Sequence, residues 1–453
     1  MSWIALSYLL SSILLILSIR GLASPRTARR GCLLGFLGML LAIATTLTIP
    51  SVQHRALPIL IMLVGSGIGV YSAVKVKMTS LPQMIAAFNG LGGLAAVLIA
   101  IAEIIGGSSA YFDNTLGLII GSLAFSGSLI AFAKLQGLIS PLPITFPWLH
   151  LVVLILALIV LGLCGSFIIS GNQLIFLCLS AVVIILGIIL VLPIGGADMP
   201  IVISILNSYS GWAAVGIGFS LSNILLIIVG ALVGASGAIL SYIMVKSMNR
   251  SLAAVIFGGF KRNHRQTQTL PLSEKNAQTG SPEDAAFIME NAGKIIIVPG
   301  YGMAVAQAQN ILKEMAMDLR NLYHVKVLFA IHPVAGRMPG HMNVLLAEAN
   351  VPYEDVIGLE EGNHELATAD VAYIIGANDI TNPLAQTDPA SPIYGMPVLD
   401  VGLAKTVFFV KRSLGHGYSG VENPLFFADN TVMLYGDAKK ITEEIVNTLE
   451  RDK

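Results

Sequence analysis

A glycine-rich turn in the last third of the chain has the clearest chemical signature. Residues 293–306 read Gly-Lys-Ile-Ile-Ile-Val-Pro-Gly-Tyr-Gly-Met-Ala-Val-Ala, so an apolar run precedes Gly300-x-Gly302 and a helical pattern follows it to about residue 322. Glycines permit a tight turn with close backbone approach, and the helix after the turn presents free N–H groups to an anion. Gly-x-Gly alone is a weak signal, but its place between strand and helix predicts a dinucleotide-binding turn.

Basic residues near two other predicted strands indicate that the nucleotide carries an extra phosphate. A NAD-binding fold usually places an acid after its second strand, to bind the ribose hydroxyls. Here the residues are His332-Pro333-Val334, followed by Gly336-Arg337, which favours NADP. The run 411–413, Lys-Arg-Ser, supplies two cations and a hydroxyl suited to a phosphate dianion. Such a run is more often part of a solvent-exposed surface, so it indicates a phosphate site only in combination with the glycine turn.

Two further segments allow a functional and a structural interpretation. Asp379 follows the predicted strand at 371–376, where it either faces a cofactor or caps a helix. Residues 415–420, with Tyr418 near their centre, either close over a ligand or form a plain surface loop. The sequence contains no recognisable nucleophilic triad, metal site or general-base pair. That pattern suits direct hydride transfer, in which the nucleotides carry the chemistry.

Alternating strands and helices must position these residues. Further strands are predicted at 325–331, 371–376, 406–410 and 431–434, with helices at 342–349 and 438–451. This order predicts a doubly wound, Rossmann-like parallel sheet with helices on both faces. We expect it to occupy residues 293–453, after a polar linker at 261–292.

The composition excludes a wholly soluble protein. Hydrophobic residues make up 55% of the 453 residues and charged residues only 11%, whereas a soluble domain carries about 25% charged residues. Lys and Arg number 26, as do Asp and Glu, and this zero net charge gives no case for a nucleic-acid binder. Only eleven of these charges lie in residues 1–245. We therefore predict a membrane domain at residues 1–260.

Nine segments are apolar for about the 20 residues that a membrane-crossing helix needs. They are residues 2–19, 33–49, 57–74, 83–105, 115–133, 148–169, 173–192, 200–219 and 222–245. With the N-terminus outside, Lys and Arg collect in the inner loops and leave only Arg55 outside. The positive-inside rule then places the C-terminal domain in the cytoplasm.

Few polar side chains lie within these spans, and such residues are functional candidates because lipid disfavours them. Asp198 precedes the eighth span, Asn207 and Ser210 lie within it, and Asn89 lies early in the fourth. A carboxylate with amides and a hydroxyl can order water across a membrane. Hydrogen bonding between helices explains the same residues equally well on spacing alone.

The whole chain resembles the beta subunits of proton-translocating NAD(P) transhydrogenases. The most specific matches are residues 197–212, 299–308, 332–340 and 411–413, together with Gly417-Tyr418. The resemblance implies direct hydride transfer from NADH to NADP⁺, giving NADPH, driven by protons that enter from outside. It also implies that this chain binds NADP(H), while alpha-type partner chains supply the NAD(H) domain and further membrane helices.

The family motifs assign roles to individual positions. Arg337, Lys411 and Arg412 would bind the 2′-phosphate, Tyr418 would belong to a lid, and Asp379, the candidate catalytic residue, would couple protonation to the state of the cofactor. The nucleotide lies in reversed orientation on the family's sheet. The expected cofactor contacts are Gly300, Tyr301, Gly302, Met303, Ala304, Val305, Arg337, Gly376, Asn378, Asp379, Lys411, Arg412, Ser413, Gly417 and Tyr418.

In the membrane, the resemblance predicts a proton pathway through Asn89, Asp198, Asn207 and Ser210. Some family members have a histidine where this chain has Asn89, so we expect the titrating group on a partner chain. The further expectations are the bacterial cytoplasmic membrane and a homodimer of the alpha–beta unit. The rival interpretation is a transporter or channel with a non-catalytic, NADP-sensing cytoplasmic domain.

Overall fold

The computed structural model describes residues 3–22, 25–49, 55–140, 143–248, 252, 255, 277–338, 340–389, 391, 393–415, 417 and 419–451. The chain divides into two compact units. One, here called the membrane unit, contains the chain up to Gly195 together with Val202–Ser241. The other contains Gly196–Ile201 and the chain from Tyr242 onward. Within the latter, residues 277–451 form the head domain.

Among the described residues, nine helices are long and apolar enough to cross a membrane. This confirms the predicted number of spans. The second helix begins at Pro25 rather than at residue 33, because a helix continues beyond its apolar segment wherever the backbone allows. The helices are α1 (Trp3–Leu22), α2 (Pro25–Thr48), α3 (Ala56–Lys75), α4 (Leu81–Ile105), α5 (Tyr111–Leu135), α6 (Leu149–Ser170), α7 (Gln173–Val191), α8 (Met199–Ser220) and α9 (Ile224–Ser247).

Helices α8 and α9 approach each other through small residues. A Cβ atom on Gly211 would lie 2.8 Å from the carbonyl oxygen of Gly230. Ser208 Oγ donates to the Gly234 carbonyl at 2.6 Å, one helix to the other. Without a hydrophobic drive between helices in lipid, such close contact and hydrogen bonding hold the pair together. By contrast, a Cβ on Gly67 in α3 would meet nothing within 4 Å.

A buried lysine terminates helix α7. Lys134 near the end of α5 is 3% exposed, and its Nζ donates to the carbonyls of Leu192 and, at 2.8 Å, of Ile194. The last carbonyls of a helix have no partner within that helix, and a cation there also interacts favourably with the negative end of the helix dipole. Lys134 therefore donates hydrogen bonds to the carbonyls at the end of α7 from a position that is buried from solvent.

The head domain is a six-stranded parallel sheet with the strand order β3-β2-β1-β4-β5-β6. This confirms the doubly wound fold that the sequence predicts. Every described residue of β4 is buried, as are all but the first of β1, so layers must cover both faces of the sheet. The strands are β1 (Lys294–Pro299), β2 (Lys326–Ala330), β3 (Val356–Ile357), β4 (Val371–Ile375), β5 (Thr406–Lys411) and β6 (Thr431–Tyr435).

Helices of the head domain pack against this sheet and against one another. Of these, α12 contacts β2 and α16 contacts β5, while α14 contacts β1 and β2. The helices are α10 (Pro282–Glu290), α11 (Tyr301–Ala306), α12 (Gln309–Tyr323), α13 (His341–Glu348), α14 (Leu359–Leu366), α15 (Leu384–Thr387) and α16 (Ala438–Arg451).

Three details differ from the sequence expectation. The helix predicted after the glycine turn is two helices, because Gln307 adopts a left-handed conformation (φ 53°) between α11 and α12. The short strand β3 was not predicted, since two residues carry no periodicity. Helix α10 lies inside the predicted linker: Ser281 and Asp284 form a capping box at its start, and Ala285 and Met289 are buried. The expected linker residues 261–276 lie outside the described residues.

Candidate functional site

The candidate site lies where the strand order reverses, between the carboxyl ends of β1 and β4. Doubly wound sheets bind ligands at such a point. The two strand ends are joined by hydrogen bonds from Gly300 N to Ile375 O and from Gly302 N to Gly376 O, both 2.9 Å. A Cβ on Gly300 would lie 2.6 Å from Ala377 Cα. The lack of a side chain at these glycines therefore lets the backbones of the two turns lie in contact.

Asp379 is hydrogen-bonded to the segment that follows β5. Its carboxylate accepts from Ser419 N at 3.0 Å and from Ser419 Oγ at 2.7 Å. A Cβ on Gly417 would lie 2.7 Å from Asp379 Oδ2. The short turn Asp379–Thr381 has Asn378 at its N-cap, without a side-chain cap bond. The geometry thus ties Asp379 to the glycine-rich segment instead of to a helix end.

The cations after β5 already contact other groups of the chain. Lys411 Nζ donates to Gly415 O at 2.7 Å and lies 4.5 Å from the centroid of the Phe426 ring. Burial lowers the pKa of Lys411 to about 8, while the Asp379 carboxylate acts in the opposite direction. Arg412 pairs with Asp437 at 2.6 Å and is largely exposed. Lys411 is therefore held at the cleft and interacts electrostatically with Asp379.

Arg337 reaches the other side of the cleft. Its guanidinium carbon lies 4.4 Å from the centroid of the Tyr301 ring, a distance typical of a cation–π contact. Both residues line the cleft, together with Gly302, Asn378 and Lys411. Residues from the ends of β1, β2, β4 and β5 thus converge at one edge of the sheet.

Two of the four candidate polar residues of the proton pathway make hydrogen bonds to helix backbone in the membrane unit. Asn89 Nδ2 donates to Ile203 O at 3.4 Å and so links α4 to α8. Ser210 Oγ donates within α8 to the backbone oxygen of Asn207 at 2.9 Å. Asp198 ends the short turn Gly196–Asp198, directly before α8. Hydrogen bonding between helices, one of the two interpretations that the sequence left open, is observed for Asn89.

Comparison with known proteins decides the family. The profile of the NAD(P) transhydrogenase beta subunit family matches residues 4–448. Two curated sequences from Rhodospirillum rubrum, one from a named strain, are each called NAD(P) transhydrogenase subunit beta. Each is 55% identical over 456 aligned positions, covering 98% of both chains. The chain belongs to the NAD(P) transhydrogenase beta subunit family.

Membership of the NAD(P) transhydrogenase beta subunits confirms the resemblance seen in the sequence. The chain is a membrane protein and a subunit of an oxidoreductase, and the family implies that it binds a nicotinamide nucleotide. The rival interpretation, a transporter with a sensing domain, is not favoured, because similarity to transhydrogenase subunits covers both the spans and the head domain.

The cleft of this transhydrogenase subunit contains most, but not all, of the predicted contacts. Lining residues include Gly300, Tyr301, Gly302, Val305, Arg337, Gly376, Asn378, Asp379, Lys411, Arg412, Ser413 and Gly417. Met303 and Ala304 are fully buried in α11, so their side chains face the domain interior. Tyr418 lies outside the described residues.

Sequence reasoning missed several lining residues of the transhydrogenase cleft. Ile393 and Met396 form part of its apolar wall, and Ser419 binds Asp379. Ser419 lies in the glycine-rich segment that was singled out, so its hydroxyl was a usable signal. Ile393 and Met396 lie between β4 and β5 in a stretch without periodicity, and only the fold brings them to the cleft.

The cleft residues suit a phosphorylated dinucleotide. The side-chain nitrogen of Asn378 is buried without a hydrogen-bond partner among the described residues, which leaves a donor for a polar ligand. Lys411 and Arg337 supply positive charge, and Ile393 and Met396 supply apolar surface. A nucleotide site combines apolar walls with a few placed polar groups.

Proposed function

We propose that the head domain binds NADP(H) and that the assembled protein couples inward proton movement to hydride transfer from NADH to NADP⁺. The observation that carries the proposal is the convergence of Arg337 and Lys411 at the switch point of the sheet. A site built for NAD(H) would place an acid after β2, where this chain has His332-Pro333-Val334.

Three basic residues would hold the 2′-phosphate. Lys411 is positioned by Gly415 O and the Phe426 ring, and Arg337 by the Tyr301 ring. Arg412 would exchange its exposed ion pair with Asp437 for the phosphate, at small cost because exposed pairs contribute little. The remaining proposed contacts are Gly300, Tyr301, Gly302, Met303, Ala304, Val305, Gly376, Asn378, Asp379, Ser413, Gly417 and Tyr418.

The protein's task in the reaction would be to bind, orient and exclude water. The nicotinamide rings of the two nucleotides supply the hydride chemistry. Asp379 would face the bound nucleotide and hold the 415–419 segment through Ser419. A change in the charge of Asp379 would weaken those two hydrogen bonds. We therefore assign it the coupling between protonation and nucleotide affinity.

Asn89, Asp198, Asn207 and Ser210 would contribute to the proton route. An asparagine does not titrate, so Asn89 would position water while a partner chain supplies the titrating group. One proton that crosses 100 mV releases about 2.3 kcal/mol. That is enough to shift an equilibrium more than about tenfold.

The assembly that we propose contains alpha-type chains, which carry the NAD(H) domain and further membrane helices. Two alpha–beta units would form a dimer in the bacterial cytoplasmic membrane. The distribution of Lys and Arg supports an N-terminus outside and a head domain in the cytoplasm. The functional domains would be residues 1–260 for proton movement and 293–453 for NADP(H), with 261–292 as the connection.

The test is hydride transfer in vesicles that contain this chain and its alpha-type partner. NADH-dependent reduction of NADP⁺ should rise when a proton gradient is imposed and should fall to a basal rate when an uncoupler removes it. Lys411→Ala should weaken NADP⁺ binding by about tenfold, as expected for the loss of a charged hydrogen bond. Reduction that ignores the gradient would refute coupling, and equal affinity for NADP⁺ and NAD⁺ would refute the assigned nucleotide.

A further inference from the structure

Two buried histidines bracket the segment that carries Arg337. His332 follows β2 and His341 begins α13, and each is 1% exposed. The Nδ1 atom of His332 accepts from Val334 N at 3.2 Å, and that of His341 accepts from Arg337 N at 3.0 Å. Both Nδ1 atoms are therefore unprotonated acceptors, and the remaining ring proton resides on Nε2.

Both rings stay neutral at physiological pH. Burial lowers the pKa of each histidine to about 4. The positive charge of Arg337 lowers the pKa of His341 further, whereas the hydrogen bond to Pro397 opposes the shift at His332. The two rings thus act as permanent hydrogen-bond acceptors for the backbone of this segment.

The Nε2 atoms distinguish the two histidines. His332 Nε2 lies 2.7 Å from Pro397 O and has a partner. His341 Nε2 is buried and has no hydrogen-bond partner among the described residues. An unpaired buried donor costs stability, and an apolar side chain would fill the same space without that cost. Among the described residues, the contact at Nδ1 is therefore the hydrogen bond that the His341 ring makes.

His341 also contacts the ring that lies against the Arg337 guanidinium. The Tyr301 and His341 rings have centroids 6.1 Å apart at an interplanar angle of 66°, an edge-to-face arrangement. Gly336 adopts a positive φ of 105° and lies against His341. A Cβ added to Gly336 would lie 2.6 Å from His341 Cβ. His341 therefore restrains Arg337 at its backbone, through Nδ1, and at its side chain, through Tyr301.

We propose that His341 is a positioning residue for nucleotide selectivity: it fixes the turn and the tyrosine ring that hold Arg337 in the direction of the 2′-phosphate. The inference rests on the proposed function, in which Arg337 binds that phosphate. A guanidinium that is already oriented loses less conformational freedom on binding. The benefit falls on NADP(H) alone, because NAD(H) has no 2′-phosphate.

Two amide substitutions distinguish the effect of the Nδ1 acceptor from the effect of the volume of the His341 ring. His341→Asn places a side-chain oxygen near the position of Nδ1, whereas the longer His341→Gln places its amide near Nε2 and loses the acceptor. The full chain in detergent is titrated with NADP⁺ and with NAD⁺ by calorimetry. His341→Gln should weaken NADP⁺ binding by about tenfold and NAD⁺ binding by less than about twofold, and His341→Asn should stay within about threefold of the parent.

A control variant and a second route keep the result interpretable. Tyr373→Phe removes a buried hydrogen bond to Thr442 elsewhere in the head domain, so it should lower stability without changing the NADP⁺ to NAD⁺ affinity ratio. If His341→Gln does not fold, His341→Leu fills the space of the ring without an acceptor and should give the same selective loss. A loss shared equally by both nucleotides would show that His341 serves folding only and would overturn the inference.

Combination with Arg337→Ala shows through which residue His341 acts. In the Arg337→Ala background, His341→Gln should cause no further loss of NADP⁺ affinity, because the two changes remove one interaction. A full additional loss would overturn the inference and leave the role of Arg337 intact. An unchanged affinity ratio in Arg337→Ala itself would refute both the phosphate contact and the inference. The two failures are therefore distinguishable.

Discussion

The membrane unit and the head domain use their polar side chains in different ways. In the membrane unit, serines at helix contacts donate to backbone carbonyls of the neighbouring helix, as Ser11 does to Gly38 and Ser204 to Gly237. In the head domain, Asp379 and Lys411 lie at strand ends and bond to the segment that borders the cleft. The first arrangement joins helices, and the second surrounds a potential ligand.

The difference follows from the solvent. Lipid offers no hydrogen-bond partner, so each polar group within it needs one inside the protein. Water can satisfy a polar group at the mouth of a cleft until a ligand replaces it. Small residues are consequently critical for packing in the membrane unit, while charged residues are critical for binding in the head domain.

The largest effect is expected from Gly211→Leu at the contact of α8 and α9. Its Cβ alone would lie 2.8 Å from the Gly230 carbonyl oxygen, and overpacking costs about 1–3 kcal/mol or more. The yield of monodisperse protein in detergent and its melting temperature should both fall sharply. Gly67→Leu is the matched control, because a Cβ there meets nothing within 4 Å. Equal losses in both variants would contradict the assigned packing role.

In the head domain, Asp379→Asn should weaken NADP⁺ binding by about tenfold, since charge-assisted hydrogen bonds are roughly twice as strong as neutral ones. The neutral amide retains at most part of the two bonds to Ser419. Ser419→Ala keeps the backbone bond and should show a smaller loss. Calorimetric titration of the full chain measures both, and unchanged affinity in Asp379→Asn would remove its assigned role.

The pH dependence of NADP⁺ binding should be of intermediate size. Because burial lowers the pKa of Lys411 to about 8, this side chain loses its positive charge as the pH rises through that value. We expect the NADP⁺ dissociation constant to increase by about fivefold between about pH 7 and 9. Lys411→Arg should flatten the profile, since arginine stays charged. NAD⁺ binding should not follow this profile, and a parallel change for NAD⁺ would exclude a phosphate contact.

The smallest effect concerns stability alone. Tyr373 is fully buried in β4 and bonds to Thr442 Oγ1 at 3.0 Å. Tyr373→Phe should lower the free energy of unfolding of the head domain by about 1 kcal/mol. Tyr353→Phe, at an exposed tyrosine (47% exposed), should cost less. Melting curves of both variants provide the measurement, and a change in NADP⁺ affinity in either would show that the site is sensitive to distant packing.

Much of the fold was predictable because its determinants are local. The thickness of lipid requires long apolar helices, and these are visible as uninterrupted segments such as residues 173–192. Buried parallel strands appear as short apolar runs, such as that before Gly300. The break at Gln307 and the strand β3 were not predictable in this way, since each depends on what the rest of the domain places beside it.

The residue types of the candidate site were also visible in the sequence, but their partners were not. Asp379 was identified by its position after a strand, whereas its bonds to Ser419 bridge 40 residues of chain. Arg337 was identified by its charge, whereas the Tyr301 ring beside it comes from the end of another strand. The role of His341 depends on both contacts and had no signal in the sequence.

The sequence by itself determined nine apolar segments of membrane-spanning length and a parallel α/β domain with a glycine turn, because hydrophobic length and periodicity are properties of contiguous segments. The tertiary structure decided which groups meet: the α8–α9 contact at Gly211, the hydrogen bonds of Asp379, and the restraint of Arg337 by His341. Hydrogen bonds and ring contacts act over a few ångströms. Residues distant in sequence therefore acquire them only when the folded backbone brings them together.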